Sequence, residues 1–136
     1  MVTLICAVVG EEGGVFPVNI DTKQLVGNLK DKTKAKKTNT IKCDANELQL
    51  FLAKKDDAWL PYNDPAALKL KKGEIHNDIQ TVIDGERLEE AWTIQDVLED
   101  QSMPEPLSRQ IHVLVVVPSH VRLGVGGSSP KVLKYK

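Results

Sequence analysis

The run Ile111-His112-Val113-Leu114-Val115-Val116-Val117 constrains this chain more than any other stretch. Apart from His112 it is β-branched or apolar throughout and lacks the alternation of a half-solvated strand. It therefore predicts a strand buried on both faces, at the centre of a sheet, and Pro118 stops it. Val15–Ile20 reads as a second strand, with Phe16, Val18 and Ile20 on one face. Pro17 has no N–H to give a ladder, so this strand belongs at an edge. Thr3–Val9 precedes it across the turn Gly10-Glu11-Glu12-Gly13-Gly14, whose glycines supply the positive φ of a hairpin. With one strand central and the other at the rim, the first and last strands must be neighbours.

The remaining segments fit around that frame. In Leu48–Lys54, Leu48, Leu50 and Leu52 alternate with Gln49, Phe51 and Ala53, which is a strand pattern. Asp21 reads as a helix N-cap with Gln24 in the capping-box position, ahead of a stripe of Leu25, Val26 and Leu29 that fades near Lys36. Asp64-Pro65 opens a second helix and Gly73 occupies its C-cap region. Ile79–Ile83 reads as a short strand or an irregular stretch, followed by the turn signal Asp84-Gly85. Thr93 caps a further short helix, with Asp96 three residues on. The loop Met103–Pro106 then leads to the central strand. The expected architecture is α+β, the β-grasp of ubiquitin-like domains, with a mixed sheet of four to five strands packed on one main helix. Asp84-Gly85-Glu86-Arg87-Leu88 through Ile94-Gln95 resembles the segment ahead of ubiquitin's last strand.

Composition excludes several classes. With 136 residues, 41% hydrophobic and 27% charged, the chain has the make-up of one soluble domain with its own core. A net charge of −1 supplies no field for binding nucleic acid or an anionic membrane. Cys6 and Cys43 form no metal or redox spacing, and Cys6 reads as a small buried hydrophobe. Met1–Gly10 lacks the basic start and cleavage site of a secretory signal. No run reaches the roughly 18 apolar residues of a membrane span. No arrangement of Ser, His, Cys and carboxylates points to catalysis, and Glu89 and Glu90 read as solvated neighbours. No cofactor and no metal site are expected.

Four features invite functional readings, and each is weighed against a structural one. His112 is a candidate pH switch, but a satisfied histidine at a strand end is the favoured reading. The run Lys30, Lys32, Lys34, Lys36 and Lys37 is favoured as the solvated face of the first helix, on which Lys30, Lys34 and Lys37 align. Neither His76 nor His120 lies in a metal-type pattern. Gly126-Gly127 is placed like a ubiquitin-type tail, yet Pro118 intervenes and Ser128–Lys136 would first have to be removed, so a flexible tail over 119–136 is favoured.

Three blocks, taken together, resemble the Crinkler family of modular effectors, which eukaryotic microbial pathogens deliver into host cells. Leu50-Phe51-Leu52-Ala53-Lys54 looks like the family's signature pentapeptide, with Ala58-Trp59-Leu60 following at the usual distance. Trp92-Thr93-Ile94-Gln95-Asp96-Val97-Leu98 resembles a recurring block. His112-Val113-Leu114-Val115-Val116-Val117-Pro118 resembles the element that closes the N-terminal module. The resemblance implies a non-enzymatic, ubiquitin-like header over residues 1–118 that is secreted and enters host cells. Leu50–Lys54 would be its translocation motif and His112–Pro118 the junction to an effector region. The partner would be an unknown host or translocation protein. Only eighteen residues follow Pro118, so the chain is read as a header alone or as a short member, and no C-terminal activity is carried over. The alternative is an intracellular ubiquitin-like adaptor or modifier. In Leu50–Lys54, Lys54 is expected to be the exposed contact and the leucines structural.

Overall fold

In the computed structural model, which describes residues 2–12, 15–37, 41, 43–55 and 58–117, the chain is α+β. Among the described residues, seven strands and four α-helices are formed: β1 (Val2–Val8), β2 (Val15–Ile20), α1 (Val26–Lys36), β3 (Gln49–Leu52), β4 (Lys54–Lys55), β5 (Ala58–Pro61), α2 (Pro65–Lys71), α3 (Asn77–Ile83), α4 (Ile94–Asp100), β6 (Gln110–Ile111) and β7 (Val113–Val116). The main sheet has the order β2-β1-β7-β3. β2 runs antiparallel to β1, β1 parallel to β7, and β3 antiparallel to β7. Pro17 sits on the edge strand opposite Ile5, and β7 lies inside the sheet, as its composition demands. This is the mixed-sheet order of a β-grasp. Gly13, Gly14 and Pro118 lie outside the described residues, as does the whole of 119–136.

Alternation on the central strands divides the core in two. Val113, Val115 and Val117 join Leu4, Cys6, Val8 and Leu50 beneath α1 and α4, with Val26, Leu29, Ile94 and Val97. Leu114 and Val116 point the other way and meet Phe51, Ala53, Leu60, Ala66, Ala67, Leu70 and Ile79 under α2 and α3. The sheet is thus covered on both faces, which is why β7 carries no polar alternation. Each of the buried Val, Leu, Ile and Phe side chains among these stabilises the fold by roughly 1.5–3 kcal/mol relative to exposure.

Four expectations are corrected. Ile79–Ile83 is helical, within α3. Ile79, Val82 and Ile83 stand at i, i+3 and i+4, and all three pack on the second core, so burial of a helical stripe outweighs their β-branching. Asp21 does not cap α1, because its side chain takes the Lys23 N–H at 2.9 Å in a local turn. Thr22 and Gln24 give their carbonyls to the amides of Gln95 and Ile94, both at 2.9 Å. Those acceptors are lost to a helix, and α1 starts only at Val26, where the Asn28 side chain accepts the Leu25 N–H at 3.1 Å. The final strand is not continuous. It breaks at His112 into β6, which pairs with β5, and β7. Finally, Lys30 is not on a solvated face. It is buried, with its ammonium 2.8 Å from Glu90 Oε1.

The other helix signals act as written. Asp64 Oδ1 accepts the Ala66 N–H at 2.9 Å with Pro65 at the first helical position of α2. Gly73 has φ +83°, and its amide and that of Glu74 reach back to Leu70 and Lys69 at 3.1 and 2.9 Å, a Schellman ending. Thr93 and Asp96 cap α4 reciprocally at 3.0 and 3.2 Å.

Candidate recognition surface

The two motifs singled out in the sequence meet in one ladder. Gln49, Leu50, Phe51 and Leu52 pair with Val116, Val115, Leu114 and Val113. One step further, the Ala53 N–H donates to the His112 carbonyl at 2.9 Å, and the Ala53 carbonyl accepts from the Leu60 N–H at 2.9 Å. Ala53 is therefore the point at which the main sheet hands over to the small sheet β4-β5-β6, and it is buried.

The side chains of Leu50–Lys54 fall into two sets. Leu50 fills the α1 side of the core, and Phe51 and Ala53 fill the α2–α3 side. Leu52 and Lys54 are half-buried. Both contribute, with Phe51, to a surface groove of about 620 Å³ whose other walls include Thr81, Arg87, Leu88, Trp92 and Gln101. Leu88 donates its N–H to the Leu50 carbonyl at 2.8 Å on the outer side of β3. By the two-residue period of a strand, Leu52 also turns its N–H and C=O to that outer side. Trp92 keeps 39% of its surface exposed at the groove. Lys54 stands in the wall of this groove, beside side chains that its sequence position alone could not have placed there.

Lys55 was not singled out in the sequence, yet it organises the second layer. Its ammonium lies 2.8 Å from Asp64 Oδ2 and 3.1 Å from Asp78 Oδ2. Asp64 caps α2, and His76 Nδ1 caps α3 by accepting the Asp78 N–H at 3.0 Å. One lysine following the pentapeptide thus ties the starts of two helices to β4. Hydrogen bonding to Asp64, and then to Asp78, raises the Lys55 pKa, and the same Lys55 contact lowers that of Asp64. The Asp64-Pro65 signal revealed the cap, but nothing local revealed its partner.

His112 is fully buried. Its Nδ1 accepts the Ile5 N–H at 2.8 Å, which places the ring proton on Nε2, 3.1 Å from Gln110 Oε1. That same oxygen accepts the Leu107 N–H at 3.0 Å. The Trp59 ring meets the imidazole edge-on at 4.9 Å, and the indole N–H donates to the Pro104 carbonyl at 2.9 Å. The favoured reading of His112, a satisfied histidine, matches these contacts. Val113–Val117 of the same motif are buried as well.

Among the described residues, no helix is long and apolar enough to cross a membrane, and no cluster of His, Cys and carboxylate side chains has the make-up of a metal site. Cys6 is buried and free, and its burial pushes the thiol up to about 12.

Residues 2–116 match the Crinkler effector protein N-terminal domain. The chain is 53% identical to Crinkler effector protein 63 of Phytophthora sojae (strain P6497), over 98% of this chain and 30% of that protein. It is 40% identical to Crinkler effector protein 2 of Phytophthora infestans, over 95% of this chain and 33% of that protein. Crinkler effector protein BLC01 of Bremia lactucae is 35% identical, over 90% of this chain and 63% of that protein. The chain spans about a third of the length of the two Phytophthora relatives it matches.

Proposed function

The chain belongs to the Crinkler effector family, and from that premise we propose that it is the family's header module, which mediates secretion and entry into host cells without catalysis of its own. In this reading residues 1–118 form the module, and 119–136 are a tail or the junction to an effector region. The observation that carries it is the pairing of Leu50–Leu52 with Val113–Val115. The two family motifs are one structural unit, so the pentapeptide can be presented only by a chain that has already laid down its closing strand.

A linear epitope is the wrong picture of the recognised surface. Leu50, Phe51 and Ala53 are buried, so they act by holding β3 in place. What a translocation partner can touch is the groove, with Lys54, Arg87 and Trp92 in its walls. The test fuses a reporter behind residues 1–118 and follows it into the host compartment. Delivery of the parent fusion and its loss in a Lys54→Glu or Trp92→Ala variant that keeps the parent's circular dichroism and unfolding midpoint support the proposal. A folded parent fusion that stays in the producing cell removes it.

A further inference from the structure

We propose that His112 is an acid-operated latch, whose protonation parts the seam where β1, the Ala53 hand-over and the β6–β7 break meet. Three chain segments converge on this one residue. Its backbone N–H donates to the Ile5 carbonyl at 2.8 Å and its carbonyl accepts the Ala53 N–H at 2.9 Å. Its ring accepts the Ile5 N–H at 2.8 Å, so Ile5 is held from both sides by one histidine. The ring also reaches Gln110, which gathers the 101–109 connection through Leu107.

The ring contact is possible only for neutral imidazole. An imidazolium donates from both nitrogens and has no lone pair to offer. Protonated His112 would set its Nδ1–H against the Ile5 N–H, leaving two donors face to face at a fully buried residue. Nothing charged softens that conflict among the described residues. What faces the ring is the Ile5 backbone from β1, Trp59 from β5, the Gln110 amide from β6 and the Leu107 backbone from the connection, and no carboxylate or ammonium acts on it. Burial accordingly lowers the His112 pKa from 6.5 to about 4.

The sign follows from proton counting. The folded chain holds His112 neutral below pH 6.5, where the unfolded chain would bind a proton. Stability is therefore complete above pH 6.5 and is lost as the pH falls toward 4. Between pH 7 and 5 the unfolding constant should rise about twentyfold from this residue alone, given the two pKa values. The latch stands on these contacts whether or not the module is a carrier, so its failure leaves the delivery reading intact.

The test uses the full chain. Urea unfolding at pH 7, 6 and 5 should show that rise, and a folded His112→Gln variant should show a much flatter profile. Should that variant fail to fold, two measurements on the parent decide. Nitrogen NMR should find His112 still in the neutral Nε2–H form at pH 5. Amide protection at Ile5 and Ala53 should also fall with acid more steeply than at Leu29 in α1. A His112 ring that becomes charged above pH 6 while Ile5 stays protected overturns the proposal. So does a folded His112→Gln variant with the parent's pH dependence.

Discussion

The Ala53 amide donates to the His112 carbonyl at 2.9 Å, joining two motifs separated by almost sixty residues of sequence. The chain between them, through β4 to β6, is a long excursion that leaves the main sheet at Ala53 and rejoins it at Val113. The two motifs therefore behave as one element under mutation. Loss of a buried leucine in the first removes the partner of a buried valine in the second.

That coupling separates structural from surface changes in Leu50–Lys54. Leu50 is fully buried against Val115 and the α1 core. Leu50→Ala should cost about 2–5 kcal/mol, read as a lower urea midpoint. Lys54→Glu, half-buried in the groove wall, should cost less than about 1 kcal/mol. Equal losses for the two would mean that Lys54 is a core residue and the groove is no recognition face.

Much of this was legible because burial on two faces leaves a one-dimensional trace. The run Ile111–Val117, apolar apart from His112, located the centre of the sheet, and Pro17 located its edge. What stayed hidden depends on contacts distant in sequence. The break at His112 exists because β5 captures Gln110–Ile111, and no local signal at 110–112 encodes that choice. Lys30 has the spacing of a solvated lysine. It is buried because Glu90, sixty residues away, lies beside it. The Lys55 clasp and the groove were illegible for the same reason.

Gly73 offers a backbone test. At φ +83° an added Cβ would stand 3.1 Å from the Glu12 amide nitrogen, where Glu12 bridges to Lys72. Gly73→Ala should destabilise by about 1–2 kcal/mol from the left-handed backbone, and the contact with Glu12 adds to that. Calorimetry should show a lowered Tm. An unchanged Tm would show that the α2 ending relaxes into another conformation.

The two cysteines should separate kinetically. Cys6 is fully buried with its thiol pushed up to about 12, and Cys43 is half-buried with a thiol also raised by desolvation. The thiolate is the nucleophile, so at pH 8 a disulfide reagent should modify Cys43 slowly and leave Cys6 intact until the chain unfolds. Labelling of Cys6 in urea should then track global unfolding. Rapid reaction of both thiols in the native protein would contradict the burial of β1.

The Lys30–Glu90 pair yields the sharpest sign reversal. Lys30 keeps only 6% of its side-chain surface, whereas Glu90 keeps 53%, and the hydrogen bond from Lys30 lowers the Glu90 pKa. The ammonium has lost most of its water and depends on one carboxylate. Glu90→Gln should lower the Tm because it leaves a buried cation with a neutral acceptor. Lys30→Met alone removes the charge that needs solvating and keeps an unbranched side chain at this buried position, so it should be nearly neutral or stabilising. In the double variant the Glu90→Gln penalty should vanish, because no cation remains for it to strand. A double-mutant cycle by thermal unfolding measures that coupling. If the two single changes were equally harmful and additive, the pair would be two independent surface residues, and the strap from Glu90 to Trp92 across the start of α1 would rest on its backbone bonds alone, from Val26 to Trp92 at 2.8 Å and from Gly27 to Glu90 at 3.2 Å.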